Sequence, residues 1–145
     1  MAKGQISTEI LVIVGIMLTL LIPLILYSYG KVTVAKEDLA VQKAEFAAQR
    51  IASISDSVGY LGGAAAIIEE IEIPPGFQSL KASSHDIVIE IMTSSGKKQI
   101  VKSTAFALEG APSLASITSP GNYRIEARAI DKLAGTGNSV LVSVK

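Results

Sequence analysis

The chain has 145 residues, 49% hydrophobic and only 5% aromatic, with 13 basic side chains balancing 13 acidic ones. A net charge of zero gives no electrostatic footprint for nucleic acid, and the absence of cysteine excludes disulfides and thiolate metal sites. The length allows one ordinary domain plus an N-terminal element.

The first informative stretch is Lys3-Gly4-Gln5-Ile6-Ser7-Thr8-Glu9, followed without a spacer by an apolar run from Ile10 to Tyr27. At about 1.5 Å per residue, such a helix spans roughly 27 Å, close to a bilayer core. From Ile10 to Leu26 only Gly15, Thr19 and Pro23 interrupt the run, so the helix is apolar on every face and needs lipid or other copies of itself as cover. Gly15 permits close approach of a neighbouring helix. Pro23 removes the bond to the carbonyl of Thr19 and is expected to bend or loosen the helix there. Glu9 places a carboxylate at the edge of this segment, where an unpaired charge is costly.

Three readings fit an apolar N-terminal run. A secretory signal would use Lys3 as its basic region and Ser28-Tyr29-Gly30 as its cut site. Its apolar core is usually about 7–15 residues, shorter than this run, and an acid before it is foreign to the pattern. A single-pass anchor carrying an extracellular binding domain is the second reading. Its orientation is not set by charge, because Lys3 precedes the run while Lys31 and Lys36 follow it.

The third reading is a resemblance. Lys3, Gly4 and the Gln5-x-Ser7-x-Glu9 pattern abutting an apolar helix resemble the class III signal peptide of archaeal type IV pilins. The resemblance implies cleavage by a prepilin peptidase after Gly4, so that residues 1–4 form the leader and the mature chain starts at Gln5. Lys3, Gly4 and Gln5 would then present the cleavage site. Gln5, Ser7 and Glu9 would be read by the peptidase or the pilus assembly machinery. The helix from Gln5 onward, with Ile10, Leu11, Ile13, Val14, Leu18, Leu21 and Pro23, would form the core of a homopolymeric filament. The precursor would lie in the cytoplasmic membrane and the mature protein on the cell surface, adhesion being the family's usual role. Archaellins usually read glycine- and threonine-rich after the cut, without this pattern, which favours a pilus over a swimming filament.

Beyond Lys31 the apolar pattern changes. Ala40, Ala44, Ala47, Ile51, Ile54, Val58 and Leu61 recur at spacings of four and three, a helical stripe. The early alanines suit close packing of helix on helix, and the larger residues from Ile51 on suit seating a head domain. Val58-Gly59-Tyr60-Leu61-Gly62-Gly63 is a stop signal. The expectation is one helix over residues 5–61, about 80 Å long from near Ser7 to Tyr60, and a β-rich head over 62–145.

In the head the period falls to two. Ile71 and Ile73 alternate with Glu70 and Glu72, Ile87, Ile89 and Ile91 precede a turn at Ser94-Ser95-Gly96-Lys97, and the chain returns over 99–108 as a hairpin. Tyr123, Ile125, Ala127 and Ala129 form another alternation. Ala134–Asn138 reads as a glycine-rich loop before Val140, Val142 and Val144. The fold class is therefore α+β: the long helix packed on an antiparallel sheet or small sandwich of five or six short strands.

No catalytic constellation emerges, so the expectation is a structural protein and not an enzyme, with no cofactor and no metal. The lone His85 stands beside Asp86 at an expected strand start, where adjacent side chains diverge and no serine motif accompanies them. Gly135-Thr136-Gly137 lacks the lysine and helix of a phosphate loop. Glu69, Glu70 and Glu72 read as a solvated strand face rather than a calcium site, and Lys97 and Lys98 as solubilising turn residues. Neither Asn122 nor Asn138 begins a glycosylation sequon.

Overall fold

The computed structural model describes residues 3–63, 65–130 and 139–145, with side chains described from Thr8 onward. The expected glycine-rich loop at Ala134–Asn138, with its Gly135-Thr136-Gly137 stretch, lies outside the described residues. The elements in order are helix α1 (Lys3–Leu61), strands β1 (Ala66–Ile73), β2 (Phe77–Thr93) and β3 (Gly96–Gly110), a short 3-10 helix (Pro112–Ser116), and strands β4 (Gly121–Ile130) and β5 (Ser139–Val144). The chain divides into two compact units, residues 1–37 and 38–145, and the division falls inside α1 rather than at its end.

In the second unit α1 packs on one face of a five-stranded sheet ordered β1-β4-β5-β3-β2. The helical stripe is the reason: Ala44, Ala47, Ala48, Ile51, Ala52, Ile54 and Val58 are all buried at three- and four-residue spacings. Ala44 and Ala47, expected to pack helix against helix, are instead part of this contact, where their small side chains let the helix approach the sheet, whereas Ala40 is only partly buried. Leu61, expected at the end of the stripe, is the last residue of the helix and is 70% exposed. Gly62 is in the left-handed conformation (φ 60°) and its N–H donates to the carbonyl of Val58 at 3.0 Å, capping a helix end that a side chain with a Cβ would strain. Beside this end Tyr60 meets Phe106 edge-on, ring centroids 4.9 Å apart.

Alternation supplies the other half of the core. Ile71 and Ile73 of β1, Ile87, Ile89 and Ile91 of β2, Ile100 and Leu108 of β3, Ile125, Ala127 and Ala129 of β4, and Val140 and Val142 of β5 are buried, each set on one face of its strand. Leu114 and Ile117, in and just after the 3-10 helix, join the same cluster.

A helix on one mostly antiparallel sheet is the expected α+β arrangement, and the departures are in its details: one pairing, the strand lengths and the place of His85. β3 and β5 run parallel, with Leu108 opposite Val140, while the other described pairings are antiparallel. The hairpin strands are also not short: β2 has 17 residues and β3 has 15. His85 lies inside β2, not at its start. The register between β2 and β3 shifts between Ser84 and Asp86, and Ser84 has φ 55°. Contacts symmetric about Ser84 lay the first half of β2 beside the second: the Met92 N–H donates to the Gly76 carbonyl at 2.7 Å, and the Ser79 hydroxyl donates to Glu90 at 3.0 Å.

The face of the sheet away from the helix carries a charged ladder. Glu126 is 8% exposed, and its carboxylate accepts from Nε and Nη2 of Arg128 at 3.1 and 2.7 Å, with Lys145 Nζ 3.6 Å away. The Arg128 hydrogen bonds, with the positive charges of Arg128 and Lys145, hold the Glu126 carboxyl below its ordinary value of 4.5, against the opposing effect of its burial. A folded-state value below the unfolded one means that the stabilisation is complete above about pH 4.5 and is lost as pH falls through the lowered folded value. Acid titration of the melting temperature should therefore decline more steeply for the parent chain than for Glu126→Gln. Parallel curves below pH 4.5 would remove Glu126 from the acid transition.

Candidate functional site

Residues Lys3, Gly4, Gln5 and Ser7 fall within the first turns of α1. Glu9 follows, exposed, and at helical spacing it shares a face with Val12 and Ile13. The apolar surface starts at once. Every large apolar side chain from Ile10 to Leu26 is at least 43% exposed, including Ile10, Leu11, Ile13, Val14, Leu18 and Leu21, and Pro23 is exposed as well. These residues occupy all sides of the helix, so the structure brings them together as a continuous sleeve and not as a pocket.

Such a surface has no stable home in water. Contiguous exposed apolar area of this extent marks a lipid or protein contact, and α1 is long and apolar enough to cross a membrane. The helix is assigned without a break through Pro23. The backbone carbonyl of Thr19 loses its helical donor to that proline, while the Thr19 hydroxyl donates one turn back to Gly15 at 2.8 Å. Thr33 donates to Tyr29 at 3.2 Å in the same way. These back-bonds satisfy hydroxyls without water, which suits a segment buried in an apolar medium.

A second surface appears in the head unit. Leu39 and Phe46 are 52% and 63% exposed on α1. They line a groove of about 400 Å³ whose other wall is Glu70, Ile71 and Glu72 of edge strand β1. The acidic strand face is not simply solvated. Lys43 bonds Glu72 at 2.6 Å and Arg50 bonds Glu69, tying the helix to the sheet edge. The reason is alternation itself: Glu69 shares the helix-facing side of β1 with Ile71 and Ile73 and meets a cation from α1 there. Both pairs are solvent-exposed, so each contributes at most about 1 kcal/mol. The buried stripe fixes which face of α1 looks outward, and these pairs only add to it.

The exposed Leu39 and Phe46 were not singled out by the stripe of buried residues. A signal does exist in the sequence: Leu11, Leu18, Ile25, Val32, Leu39 and Phe46 recur every seven residues, and all six are exposed.

Elsewhere the chemistry is ordinary. His85 is exposed, and Asp86 accepts from the Ser103 hydroxyl at 2.8 Å. Among the described residues no group of three His, Asp or Glu side chains is placed to hold a metal ion. Comparison with known protein families, with curated proteins and with solved structures finds no match to this chain.

Proposed function

We propose that this chain is a structural subunit, a prepilin, of an archaeal type IV pilus-like surface filament. It enters the cytoplasmic membrane through α1, is cut by a prepilin peptidase after Gly4, and polymerises through the exposed helix. The reading rests chiefly on one juxtaposition: the Gly4-Gln5-x-Ser7-x-Glu9 pattern stands directly before an all-round apolar sleeve that is exposed among the described residues. A cut before the sleeve, rather than after it, keeps the sleeve in the mature protein. Burying each large side chain of it is then worth about 1.5–3 kcal/mol. Repeated head-to-tail contacts that do not close give a helical filament, with the β-rich heads outside and adhesion as the role of that surface.

N-terminal sequencing of the native protein tests the first step. A start at Gln5 is expected. A start at Met1 or Ala2 would replace the proposal with a monomeric membrane-anchored binding domain, and a start at Lys31 with ordinary secretion. Electron microscopy of sheared surface material tests the second step, and filaments containing this chain are the expected result.

A further inference from the structure

The head-proximal part of α1 leaves one face unpartnered, and its charges are ordered. Asp38, Leu39, Gln42, Glu45, Phe46, Gln49 and Arg50 are all exposed. At roughly 100° per residue the line of Leu39, Gln42, Phe46 and Gln49 lies about 160° from the buried stripe; its basic flank borders the open groove against β1, and its acidic flank faces away from that groove. Written as heptads, Leu39 and Phe46 take the first core position, and Gln42 and Gln49 take the second. Acids flank this seam on one side (Asp38 and Glu45) and bases on the other (Lys43 and Arg50). In coiled coils these flanking positions choose both partner and orientation.

We infer that two copies of this chain pair in parallel along this face. Leu39 and Phe46 pack on their equivalents, Asp38 lies across from Lys43 of the second copy, and Glu45 across from Arg50 of the second copy. Charge decides between orientations. An antiparallel pair would set acid against acid and base against base on both flanks, whereas the parallel pair matches opposite charges. Insertion is compatible with this order: two copies inserted through residues 10–27 in the same direction enter the membrane from the same side. Lys31 and Lys36 would oppose each other in this register, which confines the pairing to the head side of Asp38. Lys43 and Arg50 already bond Glu72 and Glu69 of their own chain. Each carries several donors and remains part-exposed, so a second carboxylate can share it. The contact rests on membrane insertion and does not require that a filament forms.

The chain has no cysteine, so single introduced thiols report cleanly. In membranes carrying the full chain, oxidation should cross-link Gln42→Cys and Gln49→Cys into dimers at several times the yield of Val101→Cys, an exposed position on the far face of the sheet. On the Gln42→Cys background, Phe46→Ser and Glu45→Lys should each reduce the yield several-fold. Adding Arg50→Glu to Glu45→Lys should restore it, with the head's melting curve as the check that each variant is folded. Equal yields at positions 42, 49 and 101, or no recovery in the folded double reversal, would overturn the pairing. Filaments seen without these cross-links overturn this contact alone. Cross-linked pairs from cells that make no filaments support the pairing and count against the filament.

Discussion

Glu9→Gln should impair filament assembly far more than cleavage after Gly4. We propose that in this polymer the Glu9 carboxylate pairs with the new α-amino group of Gln5 on an adjacent subunit, within an apolar core, and so sets the axial register of the subunits. Removing one partner of a buried ion pair costs about 3–5 kcal/mol, because the other charge is left without compensation. At about 1.4 kcal/mol per tenfold change, each contact weakens by roughly two to three and a half decades, and the loss recurs at every subunit. The scissile bond is untouched, so mass spectrometry should still find a chain starting at Gln5, now retained in the membrane. The anchor reading predicts the opposite. There Glu9 is an exposed carboxylate at a membrane edge, its neutralisation eases insertion, and no assembly exists to be lost. Normal filaments from the variant would sink the register role of Glu9 while leaving the cleavage proposal in place.

Local rules account for the parts of this fold that were readable in advance. The helix stop needed only Gly62-Gly63 after a periodic run, and the hairpin needed only two alternating runs about a Ser-Gly turn. The buried stripe of α1 was visible from Ala44 to Val58 because three- and four-residue spacing is a property of one helix. What it packed against was not visible, since an alanine suits a close helix and a close sheet equally. The parallel pairing of β3 with β5 was hidden for a related reason. Val140, Leu141 and Val142 form a short unbroken apolar run, which marks a central strand but does not name its neighbours. The first half of β2, with Gln78, Lys81, Ser83 and Ser84 among its residues, has no clear alternation to announce it. Glu69 was misread because its cation, Arg50, sits on another element.

The candidate site divides in the same way. The sleeve from Ile10 to Leu26 is legible from composition, because a helix apolar on every face needs lipid or partner chains as cover. The outward seam of Leu39 and Phe46 became legible only when the buried stripe and the ties to Glu69 and Glu72 showed which side of α1 is left over.

That division of α1 leads to the largest expected change in stability. Ile51→Ala should lower the melting temperature of the head by roughly 10 °C or more. Ile51 has no exposed surface, and it sits in the middle of the stripe that joins helix to sheet. Truncating a buried isoleucine to alanine costs about 2–5 kcal/mol, the spread reflecting how far the site relaxes around the cavity. A domain of this size has only about 5–15 kcal/mol in total, and 1 kcal/mol moves its midpoint by roughly 4–8 °C. Leu24→Ala is the informative companion. Leu24 is 64% exposed, so its loss removes little that the single chain holds, and the head of the full chain in detergent should melt as the parent does. The same substitution should weaken the proposed assembly, in which another subunit would cover its side chain. If Ile51→Ala melted within a degree or two of the parent, the head would be stable without its helix, and α1 would be a tether rather than part of the core. If it melts early, residues 38–61 serve the head's own fold with one face and are free to meet a second copy with the other.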